Sequence, residues 1–392
     1  MPSDTLFTWK ARLHEDLRSL EQRSQRRNLA EIRGLNFCSN DYLGLAENPV
    51  LRERVVGAVR RAERVGSTGS RLLSGQTEEW RELEENFAEF AGTEAALFFT
   101  TGYAANVGLL SSLVGKDDVI FSDALNHASL IDGMRLSGAR KVIYPHRDLN
   151  ALEDALRREA GAPWRKVVVT ESVFSMDGDI APLPEIVNLA EKYNAVVILD
   201  EAHATAVHGP RGRGLAVAAG LTRRVLAIVH TCGKALASAG AFVSGSAILK
   251  EHLLNHARTF VFSTALPPYF AAQIQAALQL AEGMDEDRCA LLENASGFRA
   301  ALRAEGFDVA GSGSQIVPVI LGDNEAALGA AEHLQREGFA VRGIRPPTVP
   351  NGGARLRLSV TTRIAPNELA RITEALQAWR SRQLSPASAR YA

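Results

Sequence analysis

Short apolar runs recur through the middle of the chain, and helical patterns separate them. Residues 95–99, 119–121, 141–144, 166–170, 195–199, 225–229 and 241–244 read as strands. Helical patterns begin near residue 103, around 150–159 and from residue 184. Apolar strands that alternate with helices pack into a mainly parallel sheet covered on both faces. An α/β fold is therefore expected.

At 392 residues the chain is too long for one simple core, so two lobes are expected. A long apolar helix over 268–280 leads toward the second lobe. There, 314–321 and 355–360 read as strands, flanked by helices at 324–337 and 366–382. Leu6, Trp9, Leu13, Leu17 and Leu20 recur at helical spacing and predict an amphipathic docking helix over 4–33. A short strand and turn over 36–45 follow. The expected division is an N-terminal segment 1–45, a large domain 46–285 and a smaller C-terminal α+β domain 286–392. Residues 385–392 read as a frayed tail.

Apolar residues make up 46% and charged residues 23%, with a formal net charge of −1, which argues against nucleic-acid binding or a polybasic membrane surface. Three cysteines and nine histidines show no disulfide framework and no metal-ligand spacing. No apolar stretch has the length of a membrane span, and the N-terminus lacks the apolar centre of a signal peptide. A reduced, cytoplasmic enzyme is expected.

Sites in open α/β sheets lie at the carboxyl ends of strands. The polar clusters of this chain fall there: Thr100-Thr-Gly-Tyr103, Thr170 through Gly178, Asp200-Glu-Ala-His203 and Thr231-Cys-Gly-Lys234. Taken singly, Lys234 reads as a loop lysine and Asp200 as a helix cap. Together, on successive strands, they suit pyridoxal 5′-phosphate (PLP). The lysine forms a Schiff base with the aldehyde, and the aspartate keeps the pyridine nitrogen protonated. His203 can reach the phenolic oxygen of the ring, and His127 can stack on its face. Gly102 and Tyr103 start a helix, whose N–H groups suit a phosphate, and Thr231 adds a hydroxyl. Ser175 could bond the ring oxygen or a substrate carboxylate. Gly233-Lys234 is followed by Ala235, so it is not a P-loop, and Gly209-Pro-Arg-Gly-Arg-Gly214 reverses the dinucleotide spacing.

With these residues in place, the chain resembles the α-oxoamine synthases, PLP enzymes of the aspartate-aminotransferase fold (fold type I). The matching segments are NFCSNDYLGL (36–45), GSTGSRLLSG (66–75), NHASLID (126–132), TESVFSMDGD (170–179), LDEAHATAVHG (199–209), HTCGKALASAGAF (230–242), FVFSTALPP (260–268) and IRPPTVPNGGARLRLSVT (344–361). The resemblance implies a homodimer with shared active sites, in which Ser263 and Thr264 reach the phosphate of the partner's site. It also implies Arg357 as the anchor for the amino-acid carboxylate, helped by Asn40 and with Arg355 as runner-up, and Thr348 as a further substrate-binding residue. The run 344–350 looks like that of the biotin-pathway member, an acyltransferase joining L-alanine to a pimeloyl thioester carried on coenzyme A or acyl carrier protein. A sibling synthase using glycine or serine, or an aminotransferase of the same fold, is the alternative. Arg26 or Arg27 is the expected pimelate-binding arginine. Two departures stand out: His203-Ala-Thr-Ala206 and Lys234-Ala-Leu-Ala237 carry alanines where relatives are richer in glycine.

Overall fold

The seven apolar runs assemble into one sheet in the computed structural model, which describes residues 3–31 and 33–384. Its spatial order is Ala95–Phe99, Ala241–Gly245, Ala227–Thr231, Ala195–Asp200, Lys166–Glu171, Val119–Asp123 and Arg140–Tyr144. Ala241–Gly245 runs antiparallel to both its neighbours, and the remaining pairs are parallel. Phe121, Val168, Val169, Ile198, Leu199, Ile228 and Val229 are fully buried, as the unbroken apolar character of these strands requires. Each such side chain contributes about 1.5–3 kcal/mol through removal from water. Helices cover both faces, as expected for a parallel sheet.

Register places the chemistry. Glu171 pairs with Asp200, and Asp200 with Val229, two residues before Thr231. Polar residues therefore emerge side by side where the apolar strands stop.

The C-terminal residues form a second, antiparallel sheet in the order Gly343–Ile344, Ala354–Ser359, Ile316–Gly322. It packs with the helices Asp285–Ala304, Asn324–Arg336 and Pro366–Leu384. Leu35–Asn36 pairs in parallel with Phe339–Ala340, which ties the N-terminal segment to this sheet.

The N-terminal helix is shorter than expected. It spans Ser3–Gln22, and Ser24 adopts a left-handed φ of 53°, so the helix does not reach residue 33. The apolar spacing that supported it ends at Leu20, beyond which Arg23–Arg27 offer no packing face. Leu6, Trp9, Leu13 and Leu17 stay exposed in this chain. The short strand and turn expected over 36–45 appear as the strand Leu35–Asn36 followed by turns. The expected tail 385–392 lies outside the described residues. Among the described residues, no helix is long and apolar enough to cross a membrane, and no cluster of His, Cys, Asp and Glu is arranged to hold a metal ion.

Candidate active site

A cavity of about 350 Å³ opens at the carboxyl ends of the central strands. Lys234, Asp200, His203, His127, Thr231, Gly102 and Tyr103 all line it, so seven of the expected site residues come together. Thr101 caps the helix Gly102–Leu113 by accepting the Ala104 N–H, which aims the helix N-terminus into the cavity. A Cβ on Gly102 would stand 2.7 Å from Cγ2 of Thr231, so only glycine leaves this corner open. His127 lines the cavity from the cap of the helix Ala128–Ser137, its Nδ1 accepting the Ser129 N–H.

Lys234 Nζ lies 2.8 Å from His203 Nε2. Burial lowers the lysine to about 8, aided by the Arg357 charge and opposed by Asp200 and Glu171. Burial also holds His203 well below its usual range, reinforced by the Lys234 and Arg357 charges, so its imidazole is neutral. His127 is lowered by burial and by Lys234, against the pull of Asp200. A lysine poised near neutral pH beside a neutral imidazole can take up and return a proton.

Three contributors were not legible in the chain alone. Asn106 donates to Asp200 Oδ2 at 2.7 Å and to Ser129 Oγ at 2.9 Å, and the Ala202 N–H donates to Asp200 Oδ1 at 2.8 Å. Both oxygens of the aspartate are thus held. Glu171 lines the same cavity, with burial and the Asp200 charge raising it well above the carboxylate range and Lys234 opposing. The third is Tyr42, fully buried, whose hydroxyl lies 2.7 Å from His203 Nδ1. A polar residue on the apolar helix 102–113, and an acid ending the strand 166–171, were the available signals for the first two.

The remaining expected residues lie outside the cavity lining. Arg357 donates to the Ser175 carbonyl at 2.5 Å, to Ser359 Oγ at 2.9 Å and to Asn40 Oδ1 at 3.1 Å. It is buried, and no carboxylate pairs with it among the described residues. Arg355, in contrast, is neutralised by Asp177. Ser175 meets Arg357 through its carbonyl. Thr348 accepts from Arg27 at 3.0 Å, and Arg26 pairs with Glu21. Ser263 Oγ donates to the Thr259 carbonyl, and Thr264 bridges to Ser70, so this chain does not bring either to its own cavity.

The model for aminotransferase class I and II matches residues 32–376. The chain is 47% identical to an 8-amino-7-oxononanoate synthase of Geobacter sulfurreducens, covering 93% of each chain. Among solved structures, it superposes on a serine palmitoyltransferase from S. paucimobilis with a bound PLP-myriocin aldimine at a TM-score of 0.88 and 30% identity, covering 97% of this chain and all of that one. An 8-amino-7-oxononanoate synthase from Francisella tularensis matches at a TM-score of 0.78 and 28% identity, over 90% of this chain and 99% of that one. The fold is therefore fold type I, and the chain belongs to the class I and II aminotransferase family, where it groups with the 8-amino-7-oxononanoate synthases.

Proposed function

We propose that this chain condenses L-alanine with a pimeloyl thioester, releasing carbon dioxide and free thiol and leaving 8-amino-7-oxononanoate, with PLP as cofactor. The observation that carries the reading is the buried Arg357, with neutral hydrogen-bond acceptors and no carboxylate partner among the described residues, beside a cavity built around Lys234 and Asp200. An amino-acid carboxylate is the partner it lacks. The names of the relatives supply the acyl side of the proposal.

The residues suit PLP. The open corner at Gly102 and Thr231 offers backbone N–H donors and a hydroxyl to the phosphate. Asp200, held at both oxygens, would keep a proton on the pyridine nitrogen, and His203, which lines the same cavity, would bond the phenolic oxygen. His127, also in the cavity lining, would stack on the ring. When bound, PLP supplies an electron sink for the carbanion formed from the amino acid.

Lys234 Nζ anchors the cofactor, removes the α-proton of alanine and later returns a proton to the product. Arg357 and Asn40 orient the carboxylate that leaves as carbon dioxide. Arg27, held against Thr348, provides a cationic terminus for the distal carboxylate of the pimeloyl chain. Ser263 and Thr264 serve the site of a second copy, which makes the active unit a homodimer.

Free-thiol release tests the reading. Alanine, glycine and serine are each combined with pimeloyl, succinyl, acetyl and palmitoyl thioesters. Alanine with a pimeloyl thioester should give the highest kcat/KM. Serine with palmitoyl-CoA giving it instead would make the chain a sibling synthase, in line with its structural likeness to serine palmitoyltransferase. Amino-group exchange without thiol release would make it an aminotransferase.

A further inference from the structure

Gln315 reaches from the C-terminal sheet into the turn that carries His203. The turn 201–208 leaves one backbone carbonyl open. Ala206, at a left-handed φ of 66°, donates its N–H to the Gly212 carbonyl, and Val207 donates to the Ala204 carbonyl. In a regular helical turn these N–H groups, three and four residues on, would serve His203. Here neither does. Gln315 Nε2 fills the place and donates to the His203 carbonyl at 2.9 Å, although it lies 112 positions further along the chain. Gln315, His203 and His208 are all buried, so an unmet carbonyl at this point would be costly.

A carbonyl only accepts, so the NH2 end of the amide must face His203 and its oxygen must face His208. His208 Nε2 lies 3.0 Å from that oxygen and is therefore its donor. The amide has one orientation, set by both of its partners in the turn. Its backbone is fixed as well. The Val360 N–H donates to the Gln315 carbonyl at 2.9 Å, Arg299 donates to the Ser314 carbonyl, and Ser314 Oγ donates to the Gly178 carbonyl at 2.7 Å. The strand that follows, Ile316–Gly322, pairs with Ala354–Ser359, the strand of Arg357.

We propose that Gln315 is a positioning residue for the proposed reaction: by holding the His203 carbonyl, it sets the reach of the His203 ring toward the phenolic oxygen of the cofactor. The carbonyl fixes the peptide plane, and the direction of the Cα–Cβ bond follows from it. Tyr42, 2.7 Å from Nδ1, then fixes the ring about that direction. One buried amide thus ties the placement of His203 to the sheet that carries Arg357.

The inference rests on the proposed bond from His203 to PLP, and the test separates the two. The PLP-loaded full chain is titrated with pH while the cofactor absorbance is followed. A donor on the phenolic oxygen draws off charge that otherwise holds the Schiff-base proton, so a loosened His203 should raise the midpoint. Gln315→Met keeps the length of the side chain and removes the amide. Its midpoint should rise by roughly half to one pH unit, the size of one net hydrogen bond. The titratable and charged groups facing His203 are Lys234, Arg357, His127 and Tyr42, and the change alters none of them, so a shift cannot come from lost charge. A merely structural role would lower the thermal midpoint and leave the cofactor midpoint in place, and that result overturns the proposal. His203→Phe should raise the cofactor midpoint at least as far. An unmoved midpoint there means that His203 does not bond the phenolic oxygen, and that reading of the site fails together with the inference. A shift in His203→Phe without one in Gln315→Met removes Gln315 alone. Should Gln315→Met lose its fold, Gln315→Asn keeps the amide one methylene short of its partners and must raise the midpoint likewise. An unmoved midpoint in that variant also overturns the proposal.

Discussion

Asn106 donates to Asp200, 94 positions further along the sequence, at 2.7 Å, inside a region from which both are shielded from solvent. The contact fixes the rotamer of the carboxylate, and the Ala202 N–H fixes its other oxygen. A buried carboxylate held in this way presents its charge in one direction, at no reorganisation cost when charge develops opposite it.

Asp200→Asn should therefore retain PLP and lose about two to three orders of magnitude in kcat, the usual cost of removing such a stabiliser. Asn106→Leu should lose less, because the charge stays while its orientation loosens. Steady-state rates, with cofactor content measured by absorbance after denaturation, check both. Near-wild-type turnover in Asp200→Asn would refute the role.

Borohydride treatment of the PLP-loaded protein should fix the cofactor onto Lys234, and Lys234→Ala should take up no label. Peptide mapping decides the matter, and label on any other lysine removes Lys234 from its role. The motive is the lowered affinity of this lysine for its proton, to about 8, which leaves more free amine near neutral pH than an exposed lysine offers.

His146 is bracketed by Asp123 at 2.8 Å and Asp179 at 2.7 Å. Burial alone would lower it, but the two carboxylates more than offset this and raise it to about 9. A raised folded-state value means the stabilisation is fully present below the unfolded value and is lost as pH rises through the folded one. His146→Gln should thus lower the thermal midpoint clearly near pH 6 and by a smaller margin near pH 10. Equal losses at both ends would show that the imidazolium contributes no charge-dependent stability.

Ala206 and Ala237 adopt φ values of 66° and 45°, in the left-handed region where a Cβ is strained. Both lie in runs for which the family resemblance implies glycine-richer relatives. Replacing either by glycine relieves about 1–2 kcal/mol of strain while giving back about 0.4–1 kcal/mol through the freer unfolded chain. A net gain of a few tenths to about 1 kcal/mol is expected, read as a raised thermal midpoint. A fall in stability would mean that the methyl groups pack favourably enough to outweigh the strain.

The proposed sharing of sites between two copies makes a complementation test possible. Lys234→Ala and the double change Ser263→Ala/Thr264→Ala should each be inactive. A hybrid dimer of the two would hold one site free of both lesions and recover up to half the activity per site. Silence under proven subunit exchange would place Ser263 and Thr264 outside the partner's site.

Element types were legible because they depend on local pattern. An apolar run such as 166–170 is strand-like wherever it sits, and the observed Lys166–Glu171 extends it by one residue. The polar clusters at strand ends were legible for the same reason, since register in a parallel sheet brings consecutive strand ends together. Pattern also has limits of its own. Arg355 and Arg357 sit two residues apart on one strand and so share a face; the resemblance put Arg357 first, but pattern alone could not choose between them. The fold separates them by charge, pairing Arg355 with Asp177 and leaving Arg357 with neutral partners. Tyr42 and His203 lie 161 residues apart, and nothing local to either announces the other. The sequence by itself determined which segments become strands and helices and which of them end in reactive side chains. Only the tertiary structure decided the partners of those side chains. Hydrogen bonds and desolvation act over a few ångströms of space, and chain separation carries no trace of that distance.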